Sequence, residues 1–579
     1  MHALIRKVNL HIALLLAVGL AFFIIKCRIT YPIKYVGHAD AAAYAEMADS
    51  LIHGRGFEVD YISWYFEKYD PKIVRPEDHW PPLYSLTIAP FFLIFGKTAF
   101  AAKLPSIIIS CFLIPLVLYS LAKELSGSKW PGLAAGLGVM LYPSMFGWSL
   151  HSLSDVIYAF VVSAMVLYSA KSLNDDKYFY HAGVFMGLAY YAKGSGILLI
   201  PCFVLFQFIA RGSIRKVIAH RKFWISLLVA FLVLLPWFIR NSVHFGDPLY
   251  STQRFAAGYG GYEDWEEGTY ELYWGEKPSP TYLDKFKDGI GHVAKMSRDF
   301  LKRYIWWTLM DIHSNWGKFS KYAFLTYFVS IPAVLGFFLL WRNKKRHIVW
   351  IVAVILTLFL SIFWFPIDRM ALPVICIMMA IGWATYFVVL KTILKLLSKI
   401  PFRKLVSWLK IPFASKLSIF FPKFQSQIQN LKSKIPKISL DMMAGLMVCC
   451  LAMPVVVLSN ESIQTAIKNS GYPYREGAQE WMDMGRWLKE NAAPDTITMT
   501  RNPWELHFYS EQPAIQIPRA SLEKTIEVMR YYRPTYIIPQ LDIRPSLKPL
   551  VEGKAPGLEL VYDNKKLQLY RINYDLLPE

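Results

Sequence analysis

Apolar positions fall in long unbroken blocks, not in the alternating or 3.6-residue stripes of a soluble core. The blocks cover Leu10–Ile25 and then about 104–121, 130–147, 154–170, 179–193, 195–210, 223–240, 323–341, 348–365, 371–390 and 441–458. Each approaches the roughly 20 residues that cross a bilayer as a helix. The pattern predicts a polytopic α-helical membrane protein with about eleven transmembrane helices. A shorter apolar piece, Leu83–Phe95, begins at Pro81-Pro82 and reads as a re-entrant or interface-lying helix.

Polar positions between the blocks set the expected sidedness. Arg6 and Lys7 precede the first block, which ends in Lys26-Cys27-Arg28 without a small-x-small cleavage site. It reads as an uncleaved first span with a cytoplasmic N-terminus, although Lys26 and Arg28 run against a strict charge rule. Lys123, Lys171, the Arg211–Lys222 cluster and the run WRNKKRH then fall on the inner side. Residues 28–100 become an outer loop with interfacial helices. Residues 241–320 become a second outer loop, with Glu263, Asp264, Glu266, Glu267 and Glu271 close together. Residues 391–440 carry eleven Lys or Arg and no acid, with Leu, Ile, Phe and Trp between them. They read as a basic cytoplasmic linker lying on anionic lipid.

The tail changes character. Residues 1–458 form the expected transmembrane domain and 459–579 a soluble extracytoplasmic domain. Gln479–Glu490 and Ser521–Tyr531 have helical patterns. Thr496–Arg501, Ala514–Ile517, Thr535–Pro539 and Leu567–Ile572 read as short strands, which together predict a small α/β domain. It has no Gly-rich phosphate loop and no G-x-G-x-x-G after a strand. Packing, gating or acceptor binding is the expected role.

Composition agrees with the membrane reading. The 579 residues are 55% hydrophobic and 18% charged, with a mean hydropathy of +0.31. The net charge of +21 is distributed by membrane side, so it does not imply nucleic acid. Cysteines 27, 111, 202, 376, 449 and 450 lie in or beside apolar blocks, which predicts neither a disulfide framework nor a cysteine metal site.

Several chemistry-bearing residues converge on one expected membrane face: Asp40, His79, Asp155, Lys193, Asp368 and Arg369. Lys193 occupies a very short turn between two spans, and Asp155 starts an apolar block. Charges at such depths are costly unless paired or functional. Arg and Lys can hold a phosphate leaving group. A carboxylate can accept a proton from an attacking hydroxyl or amine, or hold a divalent cation (Mg, Mn or Zn) against the phosphate. Asp40 and Asp155 are the candidate catalytic and metal-binding acids, and helix N-capping is the competing reading of each. Glu46, His79, Trp80, Tyr84, Lys193 and Arg369 are candidate substrate-binding residues. Lys193 and Arg369 are the phosphate ligands, and His79 and Trp80 border a sugar.

These residues resemble the multi-spanning GT-C glycosyltransferases, especially the bacterial group similar to protein O-mannosyltransferases and lipid A aminoarabinose transferases. The resemblance rests on His38-Ala39-Asp40 continuing through Tyr44-Ala45-Glu46, and on Pro81-Pro82-Leu83-Tyr84. It extends to Leu153-Ser154-Asp155, the Ala192-Lys193-Gly194-Ser195 turn, and Arg369 followed by Pro373. It is clearest over residues 10–240 and returns at 360–390. Two departures stand out: Ala41 replaces the second acid of the family's Asp-Glu, and Trp80 replaces a usual Lys. The resemblance implies a polyprenyl-phosphate-linked sugar donor, an inverting displacement at the anomeric carbon and no nucleotide-sugar site. It further implies a lipid, glycan or protein acceptor and a bacterial inner membrane. A transporter or flippase of a lipid-linked sugar is an alternative, but no internal repeat accompanies the polar residues. An inactive scaffold of the same fold is the other, and the single acid at Asp40–Ala41 keeps it open.

Overall fold

The computed structural model describes residues 10–259, 270–274, 281–309, 323–364, 368–397, 440–448, 450, 478–539 and 543–578. The basic segment 398–439, Glu263, Asp264, Glu266 and Glu267, and half of the expected span 441–458 lie outside the described residues.

The fold is a polytopic helical bundle. Among the described residues, seven helices are long and apolar enough to cross a membrane: Leu10–Thr30, Ala99–Ser126, Ser154–Lys171, Gly194–Arg211, Arg221–Phe245, Arg346–Phe363 and Arg369–Leu396. Three more expected spans form shorter helices. Block 130–147 is divided into Lys129–Leu141 and Pro143–Trp148 at a proline, Tyr178–Ala192 has 15 residues, and Ala323–Leu339 has 17. Leu83–Phe95 is a helix of 13 residues, too short to span. Ser154–Lys171 and Arg369–Leu396 have 83% of their apolar windows buried, against 17% for Leu10–Thr30, so they form the centre of the bundle.

Lys26 is not a sidedness signal. Its side chain is buried, and Nζ donates to Ser110 Oγ at 3.0 Å and to Ser149 Oγ at 2.7 Å. Both hydroxyls donate onward to carbonyls, at Ile107 and Phe146. Ser110 lies in a π-helical widening, Ile109–Leu113, of the second long helix. The ammonium is thus satisfied inside the bundle, and its departure from the charge rule reflects packing.

Gly183 and Gly187 bring Tyr178–Ala192 close to Arg221–Phe245. A Cβ on Gly183 would sit 2.4 Å from the Ser226 carbonyl oxygen, and one on Gly187 2.6 Å from Val233 Cβ. Small residues four apart let two membrane helices approach at backbone distance. Gly183→Ile is therefore expected to destabilise the protein by about 1–3 kcal/mol through overpacking. A thermal midpoint in detergent at or above that of wild type would refute this close approach.

Residues 478–578 form helices and short strands much as their patterns predict. The sheet has six strands in the order Tyr61–Ile62, Ala514–Gln516, Thr498–Thr500, Tyr536–Ile538, Gln568–Ile572 and Leu558–Asp563. The first three pairings are parallel and the last two antiparallel. Its edge strand comes from the loop after the first helix, with Tyr61 opposite Ala514 and Ile62 opposite Ile515. Ile62, Tyr65 and Ile73 join Met499, Ile515, Ile537 and Met529 in one apolar core. The tail and the first long loop therefore share a sheet and a core.

Candidate functional site

Four charged side chains from distant parts of the sequence meet in one cluster. Gly37 at φ +122° and Ala39 at φ +42° form a tight turn that delivers Asp40 into the first turn of helix Asp40–Ile52. Asp155 lies in the first turn of Ser154–Lys171. Lys193 is an extended residue between Tyr178–Ala192 and the 3-10 turn Gly194–Leu198. That turn is tight: a Cβ on Gly196 would lie 2.1 Å from the Ala189 carbonyl oxygen. Arg369 occupies the 3-10 turn Asp368–Ala371 that leads into the last long helix.

The Arg369 guanidinium bridges both acids, through NH2 to Asp40 Oδ2 at 2.9 Å and NH1 to Asp155 Oδ2 at 3.4 Å. Lys193 Nζ lies 2.6 Å from Asp155 Oδ1. Two carboxylates and two cations thus balance in formal charge. Asp155 is enclosed, with 2% of its side chain exposed, whereas Asp40 has 23% and is the more accessible acid. Neither acid caps its helix: the cap positions are Ala39 and Leu153, and no side-chain capping bond is formed.

Aromatic side chains wall this cluster. Trp148 lies 6.0 Å from the Arg369 guanidinium and packs against His151 at 5.4 Å. Burial pushes His151 down to about 3, which keeps its ring neutral. Tyr44 donates to Ser154 Oγ at 2.9 Å and packs against Trp80 and Tyr84 at 5.7 and 5.4 Å. Tyr84 also shares a hydrogen bond with Ser106 at 2.8 Å.

His79 is enclosed, stacked on Trp64 at 5.0 Å, with Nδ1 2.8 Å from Thr252 Oγ1. Burial lowers its pKa to about 4. His79 and Trp80 nevertheless border a narrow cleft of about 30 Å³, together with Glu77, Tyr190, Trp237 and Arg240. Gly194, beside Lys193, also lines it, so the cleft adjoins the charged cluster.

Glu46 belongs to a second cluster. Its carboxylate meets Lys97 Nζ at 3.0 Å and His507 Nε2 at 3.0 Å, and Lys97 also reaches Asp49 at 3.3 Å. Burial works to raise the Glu46 pKa, but Lys97 and His507 outweigh it and draw the group down to about 2. Burial works against charge on His507, and Glu46 outweighs it, so the imidazole pKa lies above its ordinary 6.5. The acid's contribution to stability is present above pH 4.5 and lost as pH falls toward 2. The imidazole's contribution is complete below pH 6.5 and is lost as pH rises through the elevated value. The thermal midpoint is thus expected to decline above pH 6.5 in wild type, and His507→Gln should flatten that decline. Parallel curves for the two proteins would remove the pair from the pH response.

The expected cation would lie between Asp40 and Asp155. Both Asp155 oxygens and Asp40 Oδ2 face Arg369 or Lys193. Among the described residues, no three His, Cys, Asp or Glu side chains form a metal-ligating group. No step is assigned to a divalent cation.

Sequence reasoning reached all four charged residues of the first cluster but missed the partners supplied by the tail. Glu505, His507 and Tyr509 lie on helix Pro503–Ser510, between two predicted strands. Asn502-Pro503 was an available helix-start signal, with proline at the first helical position. Lys97, a lone cation after Gly96, carried no comparable signal.

The comparisons with known proteins agree with the architecture. Residues 79–239 match the family described as dolichyl-phosphate-mannose-protein mannosyltransferase. No curated protein matches the chain. ArnT from Cupriavidus metallidurans in the apo state is 13% identical over 98% of this chain and 98% of its own, with a TM-score of 0.52. The same protein bound to undecaprenyl phosphate is 14% identical over 98% and 99%, with a TM-score of 0.51. The oligosaccharyltransferase of Archaeoglobus fulgidus in the apo form is 15% identical over 97% of this chain and 75% of its own, with a TM-score of 0.52.

Proposed function

From the GT-C fold that this chain shares with those membrane proteins, we propose that it is a glycosyltransferase using a polyprenyl-phosphate-linked sugar. The cluster of Asp40, Asp155, Lys193 and Arg369 carries the reading, since it places a reachable carboxylate beside Arg369 and ties Lys193 to the same group through Asp155. Asp40 takes the proton of the acceptor hydroxyl or amine as its oxygen or nitrogen attacks the anomeric carbon. The bond from that carbon to the phosphate oxygen breaks on the opposite face, inverting the centre. The electron pair stays on the phosphate, whose growing charge Arg369 and Lys193 stabilise. Asp155 holds both cations in place. The sugar is assigned to the side bordered by Trp80 and His79, whose aromatic faces and polar groups suit a polyhydroxylated ring, and the narrow cleft there must widen to admit it. A lipid, glycan or protein of the cell envelope receives the sugar on the outer face of a bacterial inner membrane. That places residues 478–578 outside the membrane.

The test uses the purified protein in lipid with a panel of polyprenyl-phosphate sugars and an envelope extract as acceptor. Release of polyprenyl phosphate matched by sugar in the acceptor fraction is the expected result. Movement of the intact donor across the bilayer without bond cleavage would replace transfer with transport, and inertness toward every donor would leave the scaffold reading.

A further inference from the structure

The tail helix Pro503–Ser510 grips the chain on both sides of Asp40. Before Asp40, Glu505 Oε1 accepts a hydrogen bond from Tyr35 and lies 3.0 Å from His38 Nδ1. The Tyr509 hydroxyl accepts from the Val36 amide at 2.8 Å and donates to the Lys34 carbonyl at 3.3 Å. Trp504 meets the His38 ring edge-to-face at 5.9 Å. After Asp40, His507 pairs with Glu46 at 3.0 Å. The Glu505 side chain is wholly enclosed, whereas His38 is 40% exposed, so the anchor is the buried partner.

The gripped segment could not hold its shape by local preference. Ala39 has φ +42°, which a residue with a side chain rarely adopts, and Gly37 has φ +122°. Such conformations persist where the surroundings over-determine them, and they cluster at functional positions. Here the surroundings include Lys103 and Ser152 of the bundle, which donate to the Tyr35 and Val36 carbonyls, and Glu505, Tyr509 and His507, all more than 400 residues away in sequence. The turn sets where the Asp40 carboxylate lies relative to Arg369.

The geometry points to Glu505 as a positioning residue of the transfer reaction, acting through His38 and Tyr35 to fix the Asp40 carboxylate. The tail is then part of the catalytic apparatus and not merely a cover over it. The inference rests on the proposed role of Asp40 as proton acceptor. Misplacement by about 1 Å can cost about 10²-fold in rate without weakening substrate binding.

The test uses the full chain in lipid nanodiscs. Glu505→Ala is expected to lower kcat about 30-fold with donor KM within about twofold, and Glu505→Gln, which keeps an acceptor oxygen, to return kcat to within about fivefold of wild type. Amide exchange should accelerate at Val36 and at Ala41–Ala43 while Thr498–Thr500 stays protected. A kcat within about threefold of wild type, a change confined to KM, or equal losses for Ala and Gln would overturn the assignment. Should Glu505→Ala also expose Thr498–Thr500, Tyr509→Phe decides. A lowered kcat at unchanged KM supports the grip, and a wild-type kcat overturns it. Were wild type inert toward every donor, the proposed function would fall on its own. The exchange measurement would still judge the grip, since unchanged protection at Val36 and Ala41–Ala43 in Glu505→Ala refutes it.

Discussion

Asp40→Asn is expected to lower kcat for sugar transfer by about 10²–10⁴-fold, the range supplied by a positioned general base. The substitution keeps the size and shape of the side chain, and the amide oxygen can still accept from Arg369 at the 2.9 Å position. What it removes is the ability to take a proton. Asp155 cannot take over: it is 2% exposed, and its oxygens face Lys193 and Arg369. Ala41, where related motifs carry a second acid, offers no substitute. Donor KM should stay within about threefold of wild type, because the phosphate is assigned to the two cations, and a loss confined to kcat marks an interaction made in the transition state. Single-turnover release of polyprenyl phosphate measures this directly. A wild-type rate for Asp40→Asn would remove Asp40 from proton transfer.

Much of this site could be read from the chain because its members carry costly charges in apolar surroundings. Lys193 between two apolar blocks and Asp155 at the head of another are improbable as mere surface residues, and the structure brings both to Arg369 and Asp40. Lys26 has the same kind of signal and a different meaning, since it hydrogen-bonds two serines within the bundle. An intramembrane charge therefore marks a demand for partners, and only the partners decide between packing and chemistry. Glu46, expected among the substrate-binding residues, follows Asp40 by six residues. On a helix that spacing turns the two side chains about 120° away from sharing a face, and Glu46 accordingly meets Lys97 and His507 instead. Helix Pro503–Ser510 was harder, because its acid and histidine lie among Trp, Leu, Phe and Tyr and acquire meaning only through contacts across the whole chain. The two-residue edge strand Tyr61–Ile62 has no periodicity to detect. It exists because Ala514–Gln516 offers it a parallel partner.

Arg369→Met is expected to cause the other large loss, and to cause it in two separable ways. In the resting protein the guanidinium lies between two carboxylates, so its removal leaves like charges facing each other, one of them enclosed. Breaking a buried ion pair by deleting one partner typically costs about 3–5 kcal/mol, mostly for the charge left uncompensated. In the reaction the same group is assigned to the leaving phosphate, and its loss should raise donor KM by about 10-fold or more and lower kcat/KM by about 10³-fold. Arg369→Lys would keep the charge but not the planar fork that reaches Asp40 and Asp155 together, so it should recover part of the KM effect and little of the stability. The double variant Asp40→Asn, Arg369→Met separates the roles. It removes the facing charge along with the cation, so its thermal midpoint should rise above that of Arg369→Met alone, while transfer stays absent. If stability did not recover, the loss would lie in packing around Trp148 and not in the carboxylates. If donor KM in Arg369→Met matched wild type, Lys193 alone would carry the phosphate and Arg369 would be a brace for the two acids.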